Sequence, residues 1–452
     1  MRDEAKRAPL PGAPVGGWHR RVWWLAGPII VSNLSTPLLG AVDTAVVGRL
    51  PDAAYIGGVA VGAIIFNFLY WGFGFLRMGT TGFTAQAFGA GDADELRATL
   101  MRPLLLAGAL GTALIALQVP IGRFAFWLLE ASPEVEALAG SYFAIRIWSA
   151  PAALINYTLI GWLFGTQRAG ATLLLQLALN GTNIVLDIVF VLGFGWGIEG
   201  VALASVIAEI TAAVLGFAII ARALRRQGGR WDRARIFRRD RLATLLKVNV
   251  DIFLRTLALI FAFSYFTAQG AKMGDVTLAA NAILMHLQSF LAHGLDGFAH
   301  AAEILAGGAV GARSRPAFRK AVQVSTIWAA GTAAAVALVY AALGPSIIAL
   351  FTVIEEVRTA AAVYLPWIVA SPLVSVWGFQ LDGIFIGATR TAAMRNAMAL
   401  SLAVYLVACW VLIPALDNHG LWLALLILMA ARGITLAIAY PALERSVETP
   451  RG

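Results

Sequence analysis

The chain has 452 residues, 60% of them hydrophobic and only 13% charged. A soluble protein of that length could not hide so much apolar surface, whereas a chain that lives in a bilayer has no need to. The formal charge of +9 sits mostly in short segments between apolar runs, which argues for a membrane topology rather than nucleic-acid binding, and the single Cys409 excludes an intramolecular disulfide and any cysteine-built metal site.

Residues 1–21 form a polar Pro/Gly-rich tail with Arg2, Lys6, Arg7, Arg20 and Arg21 and no pattern of a cleavable signal peptide. Twelve apolar segments follow, predicted over 22–48, 55–77, 101–129, 137–165, 169–195, 199–222, 242–271, 277–308, 321–351, 357–387, 392–416 and 420–443. The expected fold is an all-α polytopic membrane protein with twelve transmembrane helices in two six-helix pseudo-symmetric lobes. Its parts are a tail (1–21), an N-lobe (22–226), a basic cytoplasmic linker (227–241), a C-lobe (242–443) and a second tail (444–452). With the N-terminus inside, 27 of the 34 Lys and Arg fall on the inner side, so both termini are expected to be cytoplasmic, in the inner (plasma) membrane. The Arg-rich stretch 222–241 is expected to lie near anionic lipid headgroups.

The two halves repeat each other. Gly161, Gly165, Arg168 and Ala171 recur as Gly383, Gly387, Arg390 and Ala393, each 222 residues on, and Tyr142 and Pro151 have counterparts in Tyr364 and Pro372. Six spans in each half give both copies one orientation. Parallel repeats with a site between them are a common transporter plan that permits alternating access.

Ionisable groups inside spans are expensive and point to function. In Leu179–Phe190, Asn180, Asn183 and Asp187 follow each other by three and four residues and share one helix face. From the ~1.5 Å rise per residue, Asp43 on span 1 is ~9 Å from the outer surface, Asp187 ~12 Å, and Tyr142 and Ser205 ~8–9 Å. Two carboxylates in one poorly solvated pocket invite a proton, and the same oxygens at Asp43, Asn183 and Asp187 suit Na⁺. The alternatives are that Asp187 pairs with Arg146 to hold helices together, that Asp43 reaches the headgroups, and that Asn180 makes an interhelical hydrogen bond.

The second half does not repeat this site: Cys409 stands at the place of Asp187. Its charges, Asp251, Arg255, Asp296, Glu303 and Asp382, lie nearer the cytoplasmic side. Asp251 and Arg255, four apart, are placed to pair along one face. This inner cluster would gate the cytoplasmic mouth, attract cationic substrates, or simply brace the lobe. Pro28 and Pro37 are candidate hinges of span 1. Phe66, Phe68, Tyr70, Trp71, Phe73 and Phe75 either line a substrate cavity or face lipid and core. His286, His293 and His300 form a stripe every seven residues, open to packing, proton transfer or, least in keeping with its spacing, metal binding. No phosphate-cradling motif or catalytic constellation is present, so no enzyme and no cofactor are expected beyond a transmembrane H⁺ or Na⁺ gradient.

VDTAVVGRL after a Pro-containing first span resembles the multidrug and toxic compound extrusion (MATE) family, and Leu295–Arg313 and Leu381–Met398 resemble its DinF-like branch. The resemblance covers about 15–443. It implies a two-lobed antiporter that expels organic, often cationic and amphipathic, compounds in exchange for H⁺ or Na⁺. In similar archaeal members the first-lobe cation site uses residues matching Asp43, Asn183 and Asp187, with Tyr142 and Ser205 as neighbours; Ser205 stands where Thr is common. The family's second-lobe Na⁺ site is not evidently reproduced by Asp251, Asp296 and Asp382, which favours protons. The expected partners are the lipid bilayer and small organic substrates, with no nucleic acid, and the chain is expected to act as a monomer. A lipid-linked precursor flippase is the alternative within the superfamily; it needs a large basic cavity, and Arg146, Arg255 and Arg432 are few and scattered. A channel or membrane enzyme would need a pore or a catalytic set that the sequence lacks.

Overall fold

In the computed structural model, which describes residues 17–50 and 52–448, the chain is helical, with no strand among the described residues. The first half holds α1 (Trp18–Val47), α2 (Ala53–Gly72), α3 (Phe75–Ala90), α4 (Ala93–Ala116), α5 (Gln118–Leu129), α6 (Pro133–Arg146), α7 (Ala150–Gly165), α8 (Ala169–Asp187), a π-helical turn (Ile188–Gly193) and α9 (Gly197–Gln227). A one-turn α10 (Arg233–Ile236) follows. The second half holds α11 (Arg239–Ala271), α12 (Asp275–Gly311), α13 (Arg315–Phe351), α14 (Glu355–Gly387) and α15 (Thr391–Arg445).

Among the described residues eight helical stretches are long and apolar enough to cross a membrane. One of them, α15, breaks at Asp417 (φ 48°) and passes twice. The helices α1, α11 and α12, of 30, 33 and 37 residues, are also long enough at ~1.5 Å per residue. The twelve passes expected from hydropathy are therefore present. Large apolar side chains such as Trp127, Leu338, Leu350, Trp410 and Ile438 are strongly exposed, which only a lipid surround makes tolerable.

The chain divides into two compact units, Val31–Leu246 and Met1–Ile30 with Lys247–Gly452. The first part of α1, with Pro28, thus belongs with the second half, where Ile30 fills the space a side chain at Gly297 would need. Helix α1 continues through Pro28 without a break. Pro37 lies outside the residues whose side chains are described.

The 222-residue repeat is also conformational. Left-handed residues end corresponding helices at Gly91 and Arg313, at Gln167 and Thr389, and at Gly195 and Asp417, each pair one repeat apart. The repeated glycines have one cause in both units. A Cβ at Gly161 would come within 2.5 Å of the Arg77 carbonyl oxygen, and one at Gly383 within 2.2 Å of the Ala299 oxygen. Only a residue without a side chain lets these backbones meet. Asp92 and Ser314 cap the helices that follow Gly91 and Arg313 by accepting from Glu95 N (3.0 Å) and Ala317 N (3.4 Å).

Each unit has its own core. Trp162, Leu159, Leu163 and Leu175 centre the first, and Phe266, Tyr405, Trp422 and Leu425 the second. Of the aromatic run in span 2, Phe66, Tyr70 and Phe75 are buried, while Phe68 and Trp71 are exposed.

Candidate functional site

Helix α8 turns one polar face inward. Asn180, Asn183 and Asp187 are 5%, 2% and 0% exposed, while Leu177, Val185 and the adjoining Ile188 face outward. Asn180 Nδ2 donates to Ser35 Oγ (2.9 Å), an interhelical bond to α1, and its Oδ1 accepts from Gln176 (3.0 Å). Asn183 Nδ2 donates to Ser205 Oγ on α9 (3.2 Å). The other end of that amide, Oδ1, is buried and takes no hydrogen bond from a described residue. Directly after Asp187 the helix widens into the π turn, a distortion common beside functional groups. Tyr142 is buried on α6 and seated against Gly62 of α2, where a Cβ would come within 2.4 Å of its ring. The side chain of Asp43 lies outside the described residues. Around Asp187 the unit therefore gathers a carboxylate, an amide oxygen and a hydroxyl, the hard oxygen set that suits a proton or Na⁺.

One acidic residue escaped the sequence reading. Glu209 lies four residues beyond Ser205 on α9, well inside the span, and is partly buried. Its Oε2 accepts from Asn156 Nδ2 of α7 (2.7 Å), and the same amide reaches the Glu209 carbonyl oxygen (2.9 Å). Arg146, Tyr70 and Tyr157 interact with it electrostatically. Arg146 also lies over the Phe66 ring at 5.5 Å. The signal in the sequence was a lone acid one turn from a candidate ligand; its partner, 53 residues away, carried no pattern.

In the second unit the expected pairing of Asp251 with Arg255 is not formed. Arg255 and Arg432 both donate to Asp382 Oδ2, and all three side chains are buried. Asp251 instead accepts from Arg395 (2.5 Å) and Thr391 (3.1 Å). A side chain four residues along a helix is always near, but here both groups turn to other helices that bring better partners. The arginines expected to be scattered thus converge in part. Asp296, partly buried, acts on Arg432 electrostatically. The histidine stripe separates: His286 stacks on Phe351, His293 Nδ1 contacts Ser289 O (2.6 Å), and His300 Nδ1 contacts the fully buried Glu303 (3.1 Å). No group of three or more His, Cys, Asp or Glu among the described residues is arranged to hold a metal.

The basic linker packs on protein at several points. Arg102 donates to Glu95 (2.7 Å) and to the carbonyl oxygens of Arg235 (2.7 Å) and Ile236 (3.1 Å). Asp92 accepts from Arg235 at both oxygens, and Asp94 from the Arg230 N–H (2.7 Å). Burial pushes the Asp92 carboxyl up, but the Glu95 N–H and the Arg235 guanidinium outweigh it and hold the group below the usual carboxylate range. Arg233, Arg239 and Arg241 stay exposed.

Twelve passes in two repeated units, each with buried polar groups inside its spans, are the build of a secondary transporter. The family model MatE matches twice, at residues 28–189 and 252–411, once in each repeat. The chain belongs to the MatE family and is a multi-pass membrane transporter. It is 42% identical to DNA damage-inducible protein F of Escherichia coli (strain K12) over 92% of this chain and 91% of that one. It is 27% identical to the probable multidrug resistance protein NorM of Rhizobium meliloti (strain 1021), over 86% and 83% of the two chains. A MATE protein solved in a bent conformation superposes with a TM-score of 0.85 at 19% identity, covering 96% of this chain and 98% of that one. A MOP superfamily transporter from Pyrococcus furiosus gives 0.83 at 19%, with the same coverage.

Proposed function

We propose that the chain is a multidrug exporter, a secondary antiporter that exchanges organic, often cationic and amphipathic, compounds for protons by alternating access in the inner membrane, with both termini cytoplasmic. The observation that carries this reading is the fully buried Asp187, one turn from the Asn183–Ser205 pair whose amide oxygen lacks a donor. A proton or Na⁺ arriving there neutralises a carboxylate in a poorly solvated site, and its release restores the charge. Asp43, Asn180 and Tyr142 complete the proposed coupling site. The Asp382 cluster is assigned to bracing, because its carboxylate already serves two guanidinium groups and offers no open charge to a cationic drug.

Neither ATP nor a resident cofactor is required in this scheme, and the monomer in its bilayer is the working unit. The deciding experiment is efflux of a cationic dye from proteoliposomes under independently imposed proton and sodium gradients. Efflux driven by the proton gradient alone is expected; efflux indifferent to both gradients would overturn the antiporter. The NorM relative is described as a probable multidrug resistance protein, which supports the substrate class. The flippase alternative needs a basic cavity, and Arg255 and Arg432 are committed to Asp382.

A further inference from the structure

The first unit contains a second carboxylate in line with the proposed coupling site. Asp187 and Asn183 are one turn apart on α8, Asn183 is bonded to Ser205 of α9, and Ser205 is one turn from Glu209. Counting ~1.5 Å per residue from Gly197, Glu209 lies ~18 Å along its helix, roughly at the depth of the bilayer midplane. An acid there is kept only for a reason.

Its surroundings suit both protonation states. When ionised, Oε2 accepts from Asn156 Nδ2, and Arg146 of α6 interacts with the carboxylate electrostatically. When protonated, the acid becomes a donor. The Asn156 Oδ1 beside it is buried and takes no hydrogen bond from a described residue, so a turn of the amide offers the new O–H an acceptor. The other titratable groups that act on this point are Tyr70 of α2 and Tyr157 of α7, and Arg77 of α3 in turn acts on Tyr157.

We propose that Glu209 is a second proton-binding carboxylate of the transport cycle, taking a proton from the outer side, where Asp187 lies, and releasing it inward. The inference rests on the proton-coupled reading above. The proton forms an O–H bond on the Glu209 carboxylate and leaves as a proton, so nothing is oxidised and no further reactant is needed.

The test is the proton-to-substrate ratio in proteoliposomes, obtained from the substrate gradient that balances an imposed pH gradient, for the unmodified chain, Glu209→Gln and Glu209→Asp. A ratio lowered by Glu209→Gln and restored by Glu209→Asp, with substrate–substrate exchange retained, is the expected result. An unmodified chain that couples to protons while Glu209→Gln keeps the same ratio and pH profile overturns the role of Glu209 alone. An unmodified chain that ignores protons overturns the underlying reading instead. Should Glu209→Gln fail to fold, infrared titration of the unmodified protein decides: a protonated-carboxyl band that moves in Asn156→Ser supports the assignment, and the lack of any such band overturns it.

Discussion

Asn183 holds Ser205 across 3.2 Å between α8 and α9, one turn from a carboxylate with no solvent exposure. Substituting Asp187→Asn is expected to abolish pH-gradient-driven efflux while leaving expression and substrate binding in place, because the site can no longer change charge. Ser205→Ala removes only the hydroxyl acceptor, so it is expected to weaken coupling without ending it and to destabilise by about 1 kcal/mol. Dye efflux and thermal melting of the purified variants check both.

Tyr142 depends on Gly62. A methyl group at that position would sit 2.4 Å from the ring, so Gly62→Ala must displace α6 or the ring, at about 1–3 kcal/mol. Gly181 on α8 has nothing within 4 Å, and Gly181→Ala is expected to leave melting unchanged or raise it by up to about 1 kcal/mol in stability. Parallel melting curves distinguish a packing effect at Gly62 from a general intolerance of substitution.

Asp382 compensates two buried guanidinium groups. Asp382→Asn takes away the carboxylate that bonds both of them, a loss of about 3–5 kcal/mol. Asp382→Leu combined with Arg255→Met and Arg432→Met removes the charges together and is expected to recover much of the melting temperature. Failure of the triple variant to exceed Asp382→Asn would mean that the triad does more than neutralise itself.

The linker should stay docked in weak acid. The folded-state pKa of Asp92 is depressed, so its contribution is present above the ordinary aspartate value of about 4 and is lost only as pH falls through the lower folded value. A spin label at the exposed Arg233 is expected to remain immobilised from neutral pH down to about pH 4 and to loosen below it. Asp92→Asn should loosen it already at neutral pH and quicken protease cleavage between residues 228 and 241.

The sequence alone was enough for the twelve passes, the 222-residue repeat and the polar face of α8, because each is written in local terms. A bilayer demands about 20 apolar residues per pass, and a helix returns to the same face every three or four. The glycine pairs could be matched without knowing why they were small. What tertiary structure decided was which groups meet. Glu209 finds Asn156 across 53 residues, Asp382 gathers partners 127 and 50 residues away, and Asp251 passes over its neighbour Arg255 for Arg395 at a separation of 144. Docking of the linker on Asp92, Asp94 and Arg102 belongs to the same class, since a run of arginines carries no mark of which groups will receive it. A buried charge takes the partner that packing delivers with the best geometry, and no spacing along one helix encodes what a neighbouring helix will bring.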